Sequence, residues 1–164
     1  MDDREPNGIG GWLAFFAFTL GVVAPVAQIW GVVELGGSAL AQLAFGDAWS
    51  AVLAFEWAVA LATAAACLFA LARLVLVRRR SSVTITLLVL WLVPLLQLFG
   101  EPLGLALLSG RSYAELIGLG GVGILRPFLY AALWTAYLTS SRRVANTYPR
   151  ADAPDEALAA SAQD

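Results

Sequence analysis

The chain has 164 residues, 60% of them hydrophobic and only 13% charged, with mean hydropathy +0.76 and a net charge of −2. A soluble domain carries about 25% charged and 45–50% apolar residues. The excess is therefore expected to face lipid, and its four apolar runs leave no room for a soluble catalytic domain.

Residue types narrow the chemistry further. Histidine is absent, which removes the usual haem ligand, most zinc sites, Ser-His-Asp and Cys-His catalysis, and the common proton shuttle. The single cysteine, Cys67, lies in an Ala-rich run and is read as a small packed residue. All ten basic residues are arginine, and none forms a patch away from the flanks of the apolar runs. No catalytic residue, cofactor, metal site or nucleic-acid partner is expected.

In the N-terminal segment 1–10, expected in the cytoplasm, residues 1–7 are polar and mostly acidic, and the apolar run that follows is too long for a secretory signal core of 7–15 residues. A retained span over 12–33 is expected, although Ala39-Leu40-Ala41 resembles a cleavage site. This span carries Pro25 and Gln28. In the connection after it, Leu35, Ala39, Leu40 and Leu43 suit a short helix lying on the surface. The second span, about 50–77, is rich in small residues that let helices approach closely in lipid, and it carries Glu56. Arg78-Arg79-Arg80-Ser81-Ser82 makes a basic turn.

The third span, 83–108, carries Pro94, Gln97, Glu101 and Pro102. In the second connection, Ser112-Tyr113-Ala114-Glu115 has the pattern of a capping box. The fourth span, 119–139, holds Arg126 above Tyr130, Trp134 and Tyr137, which are read as packing and an interfacial belt. Residues 146–164 read as a disordered tail. The transmembrane domain is thus bounded at 11–145.

Arginine placement sets the orientation. Arg4, Arg73, Arg78, Arg79, Arg80, Arg142, Arg143 and Arg150 flank one side, and only Arg111 lies on the other. The reading is an all-α polytopic membrane protein, a bundle of four transmembrane helices with both termini cytoplasmic. Pro25-Val26-Ala27-Gln28 and Pro94-Leu95-Leu96-Gln97 suggest two hairpins related in parallel by an offset of 94 − 25 = 69.

By helical rise, Gln28, Glu56, Gln97, Glu101 and Arg126 fall in the outer half of the membrane. An arginine inside an apolar span costs about 2.5–3.5 kcal/mol by insertion scales unless it finds a partner. It is expected to pair with Glu56 or Glu101, either as a structural bridge or as part of an outward-open polar pocket.

The two ends of the chain carry a further signal. Gly8-Ile9-Gly10-Gly11-Trp12-Leu13 at the start joins Arg126, Leu133-Trp134 with Tyr137, and Ser141-Arg142-Arg143-Val144 with Thr147-Tyr148 at the end. Together they resemble the domain-of-unknown-function 2569 family of small bacterial integral membrane proteins, over about residues 8–148. The family ending is of Ser-Lys-Arg-Val type, and here arginine stands for the lysine. The resemblance implies a four-helix protein of the bacterial inner membrane and transfers no catalytic residue.

Physically, the glycines let the chain turn at the membrane surface, Trp12 anchors in the headgroup zone, and Arg142 and Arg143 face anionic lipid. Gly10, Gly11, Trp12, Ser141, Arg142 and Arg143 are therefore expected at one cytoplasmic face, where they pack together or dock a partner. The function expected first is a non-enzymatic accessory or assembly subunit, acting with a membrane-protein partner or as a homo-oligomer. The alternative is a carrier of a small solute, ion or proton through the polar pocket, and an enzyme acting on lipid is the least expected.

Overall fold

The computed structural model describes residues 8–120 and 125–148, and among them every regular element is helical. Helix α1 spans Trp12–Gly36, α2 Ala39–Phe45, α3 Trp49–Leu76, α4 Arg80–Ser109, α5 Tyr113–Gly120, α6 Leu125–Ser140 and α7 Arg142–Thr147. A 3-10 turn, Gly46–Ala48, links α2 to α3.

Three stretches are long and apolar enough to cross a bilayer: Trp12–Gly36, Ala39–Leu76 and Arg80–Ser109. Their length and composition indicate a membrane protein. The fourth expected span, 119–139, is not matched among the described residues by a helix of that length. Helix α6 has 16 residues, about 24 Å of rise against a core of about 30 Å. Residues 121–124 lie outside the described residues, as do the acidic start at 1–7 with Arg4 and the tail beyond Tyr148 with Arg150.

Helices α1, α3, α4 and α6 form a ring of antiparallel neighbours. The ring closes from α6 back to α1, where the Trp134 ring lies 4.7 Å from Phe16 and 6.0 Å from Phe15. Val52, Glu56, Ala60, Thr63, Ala64, Cys67, Ala70 and Leu74 make the buried stripe of α3, so many of its small residues serve packing within the chain. The apolar core (Leu13, Phe16, Leu20, Leu74, Trp134, Leu138, Val144 and their neighbours) is concentrated toward the end where α1 begins and α6 finishes. Much of the outer surface is large and apolar, as lipid contact requires.

The two connections at the far end are joined. Ser38 caps α2, whose Leu40 and Leu43 lie on the surface as expected, whereas Leu35 belongs to α1. Ser112 accepts the Glu115 N–H at 3.3 Å to cap α5. Arg111 bonds Glu115 at 3.0 Å, donates to the Ala44 carbonyl at 2.7 Å and stands over the Phe45 ring.

Prolines accompany local disturbances of the helices. Helix α1 carries a π turn at Thr19–Val23, followed by Ala24 and Pro25. Helix α4 carries one at Leu96–Gly100, followed by Glu101 and Pro102. The π turns and their following prolines recur at an offset of 102 − 25 = 77, and Pro94 sits within a regular α-helical stretch. The physical reason is the lost N–H: a proline cannot donate to the carbonyl four residues back, and a wide turn beside it accommodates the gap. In α4 the carbonyl freed by Pro102 is that of Leu98, and it accepts a hydrogen bond from the Tyr113 hydroxyl at 3.4 Å.

Candidate functional site

Two neighbouring cavities share part of their walls. The first, about 430 Å³, lies among α1, α4 and α6 with Cys67 of α3, and Arg126, Tyr130, Gln28 and Gln97 line it. The second, about 560 Å³, lies among α1, α3, α4 and α5, and Glu56, Glu101, Gln28 and Gln97 line it. Gln28, Pro94, Gln97 and Pro127 belong to both walls. Both volumes lie in the range of small-ligand pockets.

The five expected polar residues thus line two neighbouring cavities that share Gln28 and Gln97, but the structure does not pair the charges. Among the described residues, no ion pair joins Arg126 to Glu56 or Glu101, and Arg126 is exposed while Glu56 is buried at 8%. Axial position explains the correction. From the arginine-rich end of its own helix, Arg126 lies about 21 Å along α6, Gln28 about 24 Å along α1 and Gln97 about 26 Å along α4. Glu56 lies about 30 Å along α3 and Glu101 about 32 Å along α4. The carboxylates stand a layer beyond the arginine, with the glutamines between. Both carboxylates line the second cavity.

Below the arginine the hollow ends in a closed floor. The Tyr130 and Thr19 hydroxyls hydrogen-bond at 2.8 Å, tying α6 to the π turn of α1. Beneath them Trp134, 4% exposed, is packed among Phe15, Phe16, Tyr130 and Tyr137. Tyr130 is thus both a packing residue and part of the cavity wall. Sequence reading missed the Thr19–Tyr130 bond, which has no sequence signature. It also missed Pro127 in the shared wall, although a proline beside the one intramembrane arginine was a signal to read.

The second expected cluster assembles at the arginine-rich end. The Gly8 N–H donates to Thr147 Oγ1 at 2.9 Å, and the Tyr148 hydroxyl donates to the Leu74 carbonyl at 2.8 Å. Tyr148 is 1% exposed and Val144 fully buried, so order continues past residue 146, where a disordered tail was expected. Gly11 precedes α1 at φ +55°, in the region that favours glycine. Gly10 lies against the guanidinium of Arg143, and a methyl group there would come within 2.9 Å of Nη1. Ser141 caps α7 through its extended backbone, Arg142 is exposed, and Trp12 is 67% exposed with its edge against Phe15. The two end motifs therefore pack together.

Burial pushes the Tyr148 phenol above its ordinary value, and the nearby Arg78 opposes this. Arg73, on the next turn inward, donates to Ser81 at 3.5 Å.

Comparison with curated proteins gives no match, and comparison with solved structures gives none. A family model does match, over residues 6–149, an interval that contains both end motifs and every residue of the two cavities. The chain belongs to the family described as Protein of unknown function (DUF2569).

Proposed function

We propose that the chain is a bacterial inner-membrane protein that crosses four times, keeps both termini in the cytoplasm and moves or binds a small polar solute or ion without catalysing a reaction. The arginine distribution supports this orientation. The observation that carries the functional reading is the hollow itself. It holds two carboxylates and an arginine that do not neutralise one another. A charge kept inside a membrane span without an internal partner is a functional feature by default. In this orientation the hollow faces the outside and is closed toward the cytoplasm by Tyr130, Thr19 and the Trp134 cluster.

Flux into proteoliposomes tests the reading. Glu56→Gln and Arg126→Gln are expected to abolish uptake or proton movement while the protein remains folded. Normal flux in both variants would overturn it.

A second reading, an accessory or assembly subunit, draws on a different observation. The joined end motifs present Trp12 and Arg142 outward, on the face that the proposed orientation puts in the cytoplasm. Co-purification of a defined partner in mild detergent, lost on Trp12→Ala with Arg142→Ala, would favour it. A stable lone monomer would exclude it.

A further inference from the structure

The hollow is divided by sign. One compartment is lined by both intramembrane carboxylates and the other by the arginine, and a glutamine from each of two helices belongs to both. A site for a simple cation has no use for the guanidinium, and a site for a simple anion is opposed by the carboxylate pair. What satisfies both compartments at once is one molecule with a positive and a negative end.

We infer that the hollow binds a small zwitterion whose ammonium and carboxylate are separated by a short carbon chain. The inference rests on the solute-binding reading above and deepens it. The ammonium end sits between Glu56 and Glu101. The carboxylate end reaches Arg126, whose planar fork suits it bidentately. Gln28 and Gln97 belong to both cavity walls, and each can accept from the ammonium and donate to the carboxylate. The offset between the carboxylate and arginine layers, about 9 Å along the helices, is spanned by the side chains together with a ligand of this length. A two-carbon α-amino acid, with its charges on adjacent carbons, spans it less well.

The experiment uses the full chain in lipid nanodiscs and reads thermal unfolding and isothermal titration with three probes of one skeleton: γ-aminobutyrate, butyrate and butylammonium. The expected result is saturable stabilisation by γ-aminobutyrate and at least tenfold weaker binding of either single-charge probe. Arg126→Gln and Glu56→Gln are each expected to weaken γ-aminobutyrate binding at least tenfold, and Arg126→Lys to retain part of it.

Equal binding of butylammonium and γ-aminobutyrate would overturn the zwitterion and leave a cation site, with the solute-binding reading intact. Equal binding of butyrate would do the same for an anion site. No binding of any probe overturns the inference, and proton flux in proteoliposomes then decides separately whether the solute or ion reading stands. If either glutamine variant fails to fold, Gln97→Leu serves in its place, and undiminished γ-aminobutyrate binding in that variant overturns the inference.

Discussion

Thr147 accepts the backbone N–H of Gly8 across 139 positions of sequence, so the first and last described turns of the chain are held as one structure. The same hydroxyl donates to the Arg143 carbonyl at 2.7 Å. Removing it in Thr147→Val is expected to cost about 1 kcal/mol and to lower the melting temperature in detergent. Thr147→Ser is expected to leave it near wild type. An unchanged melting temperature in Thr147→Val would show that the two ends do not depend on this contact.

Tyr148 offers a test that depends on pH. Its phenol is neutral, buried and bonded to Leu74, and burial raises its pKa. A raised acid holds its proton in the folded state after the unfolded chain has lost it. Its contribution to stability is therefore full below the unfolded value of about 10 and falls as pH rises beyond that. Thermal melts between pH 8 and 11 are expected to drop above pH 10 in the native protein and to drop less in Tyr148→Phe. The same slope in both would exclude the phenol as the cause.

Trp134 anchors the floor of the hollow. Truncation to alanine removes a ring packed against Phe16 at 4.7 Å and Tyr137 at 5.7 Å, at an expected cost of about 3–5 kcal/mol. Trp134→Phe is expected to recover most of this. Folded yield in membranes and detergent melting measure both, and wild-type stability in Trp134→Ala would mean that the α1–α6 seam is not closed there.

The Tyr113–Leu98 bond predicts a coupling. Tyr113→Phe leaves the Leu98 carbonyl freed by Pro102 without this donor, at a cost of about 0.5–1.5 kcal/mol. Pro102→Ala supplies a backbone N–H to the same carbonyl. In the Pro102→Ala background, Tyr113→Phe is expected to be nearly neutral. Additive losses in the double-mutant cycle would show that the two residues act separately.

Hydropathy and arginine placement made the three long helices legible, because lipid imposes length and composition on any helix that crosses it. The meeting of the end motifs was legible too, since both flank runs that enter from one side. The Arg126 partner was not. Matching depths by counting from expected span ends put Arg126 level with the carboxylates, whereas Arg126 is exposed and lines a different cavity from Glu56 and Glu101. The positions of the π turns were not legible either. Pro94 and Pro25 look alike in sequence, but whether a wide turn forms at a proline depends on neighbouring packing, which no local pattern encodes.

The π turns at Thr19–Val23 and Leu96–Gly100 have a genetic corollary. Each takes one residue more than a regular turn to complete the same rotation, so the stretches on either side keep their azimuth across it. Deleting a single residue there restores a regular, better hydrogen-bonded helix and leaves Leu13 with Gln28, and Val83 with Glu101, on their present faces. The same deletion inside the regular helix Trp49–Leu76 turns everything on one side by about 100°. An in-frame deletion is therefore tolerated at either π turn and damaging in α3.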